Sequence, residues 1–215
     1  MKWTHMKYCV KTNKFFYYQH KNMEKKDYLV LVNKQNKLPD NWEKIAEFVE
    51  VKNYFGKILK IEKETLEKFN DLRKDLLSQW VDIELDSVYR SLSTQNQLFE
   101  EFKEKYWEEY ASKYAAPAGY SEHHTWLALD ICIKKENWEI ISENHEMIVE
   151  LWVFDKVHKK LANYGFILRY LDWKDDITWY SYEPRHLRYI WDVNIAKEIM
   201  EKWRTLEEYL NNVEK

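Results

Sequence analysis

A backbone turns left-handed at little cost only where glycine stands, and this chain of 215 residues has three: Gly56, Gly119 and Gly165. Average usage of ~7% predicts roughly fifteen. The marks of tight turns are present all the same, and tryptophan, of which there are eleven, stands at them. Asn137-Trp138 joins two strand-like runs where Asn-Gly is the strongest short hairpin signal, and Asp172-Trp173 has the same context. Trp80, Trp107 and Trp203 each follow the last periodic residue of a helix, the position glycine most often fills. A left-handed conformation costs any other residue roughly 1–2 kcal/mol. Five such sites would consume a large part of the ~5–15 kcal/mol that stabilises a domain. One reading is that these are surface aromatics and some of the turns are misplaced. The reading favoured by five sites failing in one direction is that most of them are native glycines. A stop codon reassigned to glycine, but read as tryptophan, produces this pattern.

The remaining composition is that of an ordinary soluble globular protein, with 45% apolar and 33% charged residues. Its 34 basic and 37 acidic residues nearly cancel, which argues against a nucleic-acid partner. The apolar runs fall far short of the ~20 residues of a membrane span, and Phe15-Phe16-Tyr17-Tyr18 is too short for a signal-peptide core. Cys9 and Cys132 cannot form a disulfide framework. The oligomeric state is not readable.

Residues 1–25 have no clear period and read as an N-terminal extension; 26–215 read as one domain. Tyr28 to Val32 is expected as a strand, followed by a turn at Lys37 to Asp40. Leu66, Phe69, Leu72, Leu76 and Leu77 recur at helical spacing within Lys63 to Gln79, and Val81, Ile83 and Leu85 then alternate with acids as a half-buried strand does. Ser93 is expected to cap a second helix. Further strands are expected at Leu127 to Ile133, Glu139 to Ser142, Phe166 to Tyr170 and Ile177 to Tyr182, with helices around Glu150 to Asn163 and at Asp192 to Lys202. Thr205 to Glu208 reads as a capping box. Strands and helices without a βαβ rhythm imply an α+β fold, an antiparallel sheet core flanked by helices.

Chemistry concentrates in two stretches. Ser121 to Asp130 sets His123 and Asp130 seven apart across a loop-to-strand junction, and Glu183-Pro184-Arg185-His186 puts a glutamate three residues before a second histidine. Two histidines, one carboxylate ligand and a nearby unliganded glutamate match a catalytic zinc site with an open position. His-x6-Asp alone is weak, and surface or core histidines account for it about as well.

The combination resembles the VanY-type D-alanyl-D-alanine carboxypeptidases, zinc enzymes of the LAS metallopeptidase group. The resemblance rests on the two stretches above and on Leu31 to Lys34, Ser87 to Ser91 with Gln95, Tyr164 to Tyr170 and Thr205 to Leu210. It runs from about Tyr28 to Leu210. The family motifs have glycine where this chain has Trp126, Trp179 and Trp191, and less securely Trp152; they have tryptophan where it has Arg185. With Trp80, Trp107, Trp138, Trp173 and Trp203, that makes nine candidate glycines, while Trp3 and Trp42 raise no conflict. Taken literally, Trp126 would crowd the metal loop and Arg185 would set a cation beside the metal.

The resemblance implies that His123, Asp130 and His186 bind Zn²⁺ and that Glu183 is the general base. It further implies that Arg90 stabilises the oxyanion or holds substrate, and that Gln95 and Ser121 line the substrate groove. His124 is expected to face away from the metal, and His5, His20, His145 and His158 to be solvated. Arg188 and Tyr182 are read equally as structural or substrate-contacting, Cys132 as a buried small residue and Asp192 as a helix cap. The implied reaction removes D-alanine from peptidoglycan stem peptides ending in D-Ala-D-Ala, in the cell envelope or outside the cell, with no nucleic acid and no transmembrane segment involved. The alternatives are an L,D-carboxypeptidase or phage-type endopeptidase of the same group. A non-catalytic wall-binding relative remains if Trp126 and Arg185 are real.

Overall fold

The computed structural model describes residues 5–9, 14–18, 27–45, 47–137 and 139–213. Two hairpins form sheets of their own: β1 (His5–Cys9) with β2 (Lys14–Tyr18), and, after the short helix α1 (Trp42–Ile45), β3 (Phe48–Lys52) with β4 (Ile58–Glu62). Helix α2 (Lys63–Leu77) then leads into β5 (Asp82–Ser87), the first strand of the main sheet. Helices α3 (Leu92–Tyr106) and α4 (Glu108–Tyr114) precede β6 (Ala128–Lys134) and its short partner β7 (Ile140–Ile141). Helices α5 (Asn144–Val149) and α6 (Leu151–Leu161) lead to β8 (Phe166–Leu168), and α7 (Asp175–Thr178) to β9 (His186–Tyr189). Helices α8 (Val193–Glu201) and α9 (Leu206–Val213) follow. The main sheet is antiparallel, in the order β5-β6-β9-β8 with β7 beside β6. The α+β expectation therefore holds.

Strand alternation decides which face carries chemistry. Ile83 and Leu85 of β5, Leu129, Ile131 and Ile133 of β6, Leu187 and Tyr189 of β9 and Phe166 and Leu168 of β8 all join one apolar cluster. Phe69, Leu72 and Leu76 of α2 and Phe154, Val157 and Leu161 of α6 complete it. The intervening residues point the other way. There Asp130 pairs with His186 and Ala128 with Arg188, while Arg188 also pairs with Ile167. Ile167 joins Ala196, Ile199, Leu206 and Leu210 in a second apolar cluster.

Local chemistry sets the helix ends. Glu62 caps α2 by accepting from the Thr65 N–H at 2.7 Å. Ser91, not Ser93, caps α3, accepting from the Thr94 N–H at 3.1 Å. Asp192 caps α8 as expected, and Thr205 and Glu208 exchange the two bonds of a capping box.

Two expected strands are absent. Val30, Leu31 and Val32 are buried but irregular, because the carbonyls of Tyr28 and Val30 accept from the Arg188 guanidinium instead of a partner strand. Ile177 to Tyr182 is the end of α7 followed by a turn. Asp172-Trp173 accordingly turns the chain from β8 toward a helix and not into a hairpin.

Among the described residues, every non-glycine residue with positive φ is a tryptophan. They are Trp80 (62°), Trp107 (77°), Trp126 (59°), Trp173 (62°), Trp179 (62°), Trp191 (68°) and Trp203 (48°). Trp107, with ψ at 156°, lies in a region that is essentially glycine's alone. At roughly 1–2 kcal/mol each, these seven together rival a domain's whole ~5–15 kcal/mol. Trp152 departs from the expectation: it lies in α6, a helix, where no left-handed residue is needed. Trp138 lies outside the described residues. Trp42 behaves as a native tryptophan should, fully buried with its indole N–H donated to the Thr125 carbonyl at 3.2 Å.

Candidate metal centre and adjoining cleft

Three segments converge on the face opposite the main core. His123 sits on a single 3₁₀ turn, Glu122–Thr125, opened by Ser121, whose hydroxyl accepts from the His123 N–H at 3.3 Å. Asp130 lies in β6 and His186 opens β9, directly opposite it in register. One ligand atom from each of His123, Asp130 and His186 lies within 4.8 Å of the others. All three residues are buried.

The ring nitrogens of His123 are assigned by their neighbours. Its Nδ1 donates to the Val88 carbonyl, which leaves Nε2 as a bare lone pair. That Nε2 is buried without a hydrogen-bond partner and faces Asp130 Oδ2 at 3.3 Å. Burial lowers the imidazole to about 4, so it is neutral at pH 7, the form that binds a metal. Asp130 Oδ1 lies 3.0 Å from His186 Nδ1. Burial alone would raise the Asp130 carboxyl, but His123 and Arg185 hold it well below its ordinary value. Burial would likewise lower His186, yet Asp130 and Glu122 hold it up at about 9. His123 Nε2, a nitrogen of His186 whose proton a metal would displace, and an Asp130 oxygen are the donor set of a catalytic zinc site.

Beside this cluster an open cleft of about 310 Å³ is lined by Arg90, Gln95, Ser121, Tyr170, Tyr180 and Glu183, among others. The Glu183 carboxylate stands 3.9 Å from His186 Nδ1, and burial pushes it up to about 7. Its loop is pinned from both sides: the Glu183 N–H donates to the Tyr170 carbonyl, and the Glu183 carbonyl accepts from the His186 N–H, each at 3.2 Å. Arg90 reaches the cleft from the end of β5, its backbone N–H donating to the His123 carbonyl and its side-chain Nε unpartnered. Burial lowers its pKa, opposed by Asp130 and Glu183. Gln95 is buried in α3 with Nε2 donated to the Ala116 carbonyl at 2.8 Å and Oε1 left without a partner.

The structure therefore gathers all seven residues singled out from the sequence. His124 faces away from the cluster, as expected: its Nε2 accepts from the Gly119 N–H at 3.0 Å and its Nδ1 donates to the Arg90 carbonyl at 2.7 Å. His145 is exposed, but His158 is not the solvated residue expected. It donates Nε2–H to the Pro184 carbonyl at 2.9 Å and so braces the Glu183 loop. Arg188 is structural, committed to Glu122 and to backbone carbonyls. Arg185 pairs with Asp86 and the Ser142 carbonyl, leaving Nη2 3.8 Å from Asp130. Cys132 is a buried thiol pushed up to about 12 by burial.

Sequence reasoning missed the charges beneath the ligands. Glu122 is fully buried, its Oε1 accepting from Arg169 Nε at 2.8 Å and Arg188 Nη1 at 2.7 Å. Arg169 in turn forks onto Glu207 at 2.7 and 2.9 Å. Only the positions of these four residues within the matched motifs could have signalled them. Lys34 was also missed. Its ammonium donates to the carbonyls of Ser112 and Trp179 under the Tyr180 ring, tying two walls of the cleft together.

An antiparallel sheet and the turns beside it, together presenting two histidines, an aspartate and a glutamate at a cleft, define a zinc peptidase of the LAS type. The profile of the VanY family, described as D-alanyl-D-alanine carboxypeptidase, matches residues 58–192. YodJ of Bacillus subtilis (strain 168), which carries a carboxypeptidase name, is 36% identical over 192 residues, covering 87% of this chain and 68% of YodJ. A D-alanyl-D-alanine carboxypeptidase of Enterococcus faecium is 33% identical over 150 residues, 69% of this chain but only 43% of that enzyme. Among solved structures, the LD-carboxypeptidase LdcB superposes with a TM-score of 0.73 at 33% identity, covering 86% of each chain. A mutant VanY D,D-pentapeptidase from a VanB-type resistance cassette, in complex with Zn(II), gives 0.72 at 27% identity, covering 86% of this chain and 99% of that one. The chain belongs to the VanY family of D-alanyl-D-alanine carboxypeptidases. No described helix is long and apolar enough to cross a membrane.

Proposed function

We propose that this chain is a zinc-dependent D,D-carboxypeptidase that cleaves the terminal peptide bond of peptidoglycan stem peptides and releases D-alanine at the cell envelope. Residues 26–215 form the working unit in this reading. The observation that carries it is the convergence of His123 Nε2, Asp130 and His186 Nδ1 beside a glutamate pushed up to about 7. Held by those three residues, Zn²⁺ would polarise the scissile carbonyl and acidify an attacking water. Glu183 takes the water's proton and passes it to the leaving amine, a task suited to a carboxyl that titrates near neutrality.

Among the described residues lining the cleft, Arg90 is the one guanidinium or ammonium group. It meets the charge that develops on the carbonyl oxygen or the carboxylate of the terminal residue. Gln95 Oε1, buried and unpartnered, accepts from a substrate amide N–H, and the Ser121 hydroxyl is free to donate. Ala115, Ala116, Tyr170 and Tyr180 add small and aromatic walls to the cleft.

The test is a comparison of stem peptides with the zinc-loaded protein. Release of D-alanine from a pentapeptide ending in D-Ala-D-Ala, abolished by a chelator and restored by one equivalent of zinc, is the expected result. The likeness to LdcB supports a second reading, cleavage of the L,D bond of the tetrapeptide. Activity on the tetrapeptide alone would replace the first reading with the second. One bound zinc and no release from either peptide would leave a wall-binding relative.

A further inference from the structure

We propose that Glu122 is the positioning residue that fixes which nitrogen of His186 faces the metal. This rests on the zinc reading above. Glu122 Oε2 stands 3.4 Å from His186 Nε2, on the side of the ring away from Asp130. The carboxylate cannot swing aside, because Oε1 is held by two guanidiniums and the side chain is wholly inaccessible to solvent. Arg169 is itself forked onto Glu207, which accepts from Asn33 Nδ2 at 2.9 Å, and Arg188 is anchored on the carbonyls of Tyr28 and Val30. Glu122 and Glu207 thus interlock with Arg169 and Arg188, two carboxylates against two guanidiniums. A carboxylate so fixed accepts Nε2–H and leaves Nδ1 as the lone pair turned toward Asp130 and His123. The nitrogen that binds is thus chosen by a layer of residues that never touches the ion.

The experiment reads metal affinity and ring protonation, not turnover. Nitrogen NMR of the zinc-loaded parent protein should show His186 bound through Nδ1 and protonated at Nε2. Competition with a chromophoric chelator should show Glu122→Gln binding zinc roughly 10–100-fold more weakly. Binding through Nε2, or a folded Glu122→Gln with parental affinity, overturns the inference. A parent protein that takes up no zinc overturns the zinc reading and this inference with it. Should Glu122→Gln fail to fold, the parent spectrum decides alone.

The backbone carries a second, independent inference. We infer that Trp80, Trp107, Trp126, Trp173, Trp179, Trp191 and Trp203 are glycines in the protein as its own cell makes it. No other residue type among the described non-glycine positions has positive φ. Trp80 and Trp173 are 88% and 87% exposed, so packing does not hold them left-handed. Trp126 is buried between Phe48 and Tyr89, but its indole N–H has no acceptor. Trp42, with ordinary φ and a bonded indole, stays tryptophan.

Two measurements test this. In the gene, the seven positions should share one codon that Trp42 does not use, and peptides of the protein isolated from its source should carry glycine there. Installing all seven glycines should raise the melting temperature by roughly 15–30 °C. One codon at all eleven tryptophans, with tryptophan in the source peptides, overturns the inference, as does a seven-glycine variant that melts no higher.

Discussion

The metal face and the turns around it answer to different rules. At the metal face each awkward group has a purpose: His123 keeps an unpartnered nitrogen, Glu183 titrates far above an ordinary carboxyl, and Arg90 keeps an unpartnered Nε. At the turns, seven tryptophans hold a conformation that costs free energy, and none of them is among the residues that line the cleft or could hold the metal. Strain that serves a reaction clusters at the site; strain scattered over unrelated turns calls for another explanation. Substitutions at the metal face should therefore change chemistry at little cost in stability, and substitutions at the turns the reverse.

The largest effect falls on the base. Glu183→Gln should lower kcat by roughly 10²–10⁴-fold with zinc still bound one to one, as steady-state kinetics and metal analysis would show. Undiminished turnover would remove Glu183 from the mechanism. Arg90→Ala should cost roughly 10²–10³-fold, and a change confined to KM would make Arg90 a substrate clamp only.

Stability against pH sharpens the contrast. A Glu183 carboxyl held at about 7 when folded, against ~4.3 when unfolded, keeps its proton longer in the folded chain. Its contribution is fully present below the unfolded value and is lost as pH rises through the folded one. Between about pH 4.3 and 7 this group alone lowers the stability of the metal-free protein as pH rises, and it opposes His123, whose imidazole, lowered to about 4 by burial, adds stability as pH rises. In denaturant melts Glu183→Gln should make stability rise more steeply with pH across that window than in the parent protein; an unchanged profile would mean that Glu183 does not titrate there.

Away from the metal face the effects are smaller and fall on stability alone. Trp173→Gly should gain about 1–2 kcal/mol with kcat and KM unchanged, and a loss of stability would break the comparison. Asp192→Ala, which deletes the cap bonded to the Asn194 and Ile195 N–H groups, should cost about 1 kcal/mol and leave zinc affinity alone.

Much of this was legible in the sequence for stated reasons. His123, Asp130, Glu183 and His186 were recoverable because ligand spacing is a local property, and α2 because its apolar residues keep helical period. The run from Tyr28 to Val32 misled because its carbonyls are satisfied by Arg188, 158 residues away from Val30, where local pattern carries no information. Ile177 to Tyr182 misled because Trp179 supplied a spurious alternation; a glycine there would have marked the end of a helical turn. Strand β9 was missed because His186 and Arg188, polar and buried, interrupt what a core strand is expected to show.

The direct pairing of Asp130 with His186 makes the metal a checkpoint on assembly. A slip of β9 by one residue against β6 would send His186 to the apolar face and bring Leu187 to the ligand position. No partly correct arrangement would then offer three donors. Zinc uptake during refolding would thus report a correctly indexed sheet, and the ion would tie together Asp130 and His186, 56 positions apart in the chain, only once the count is right.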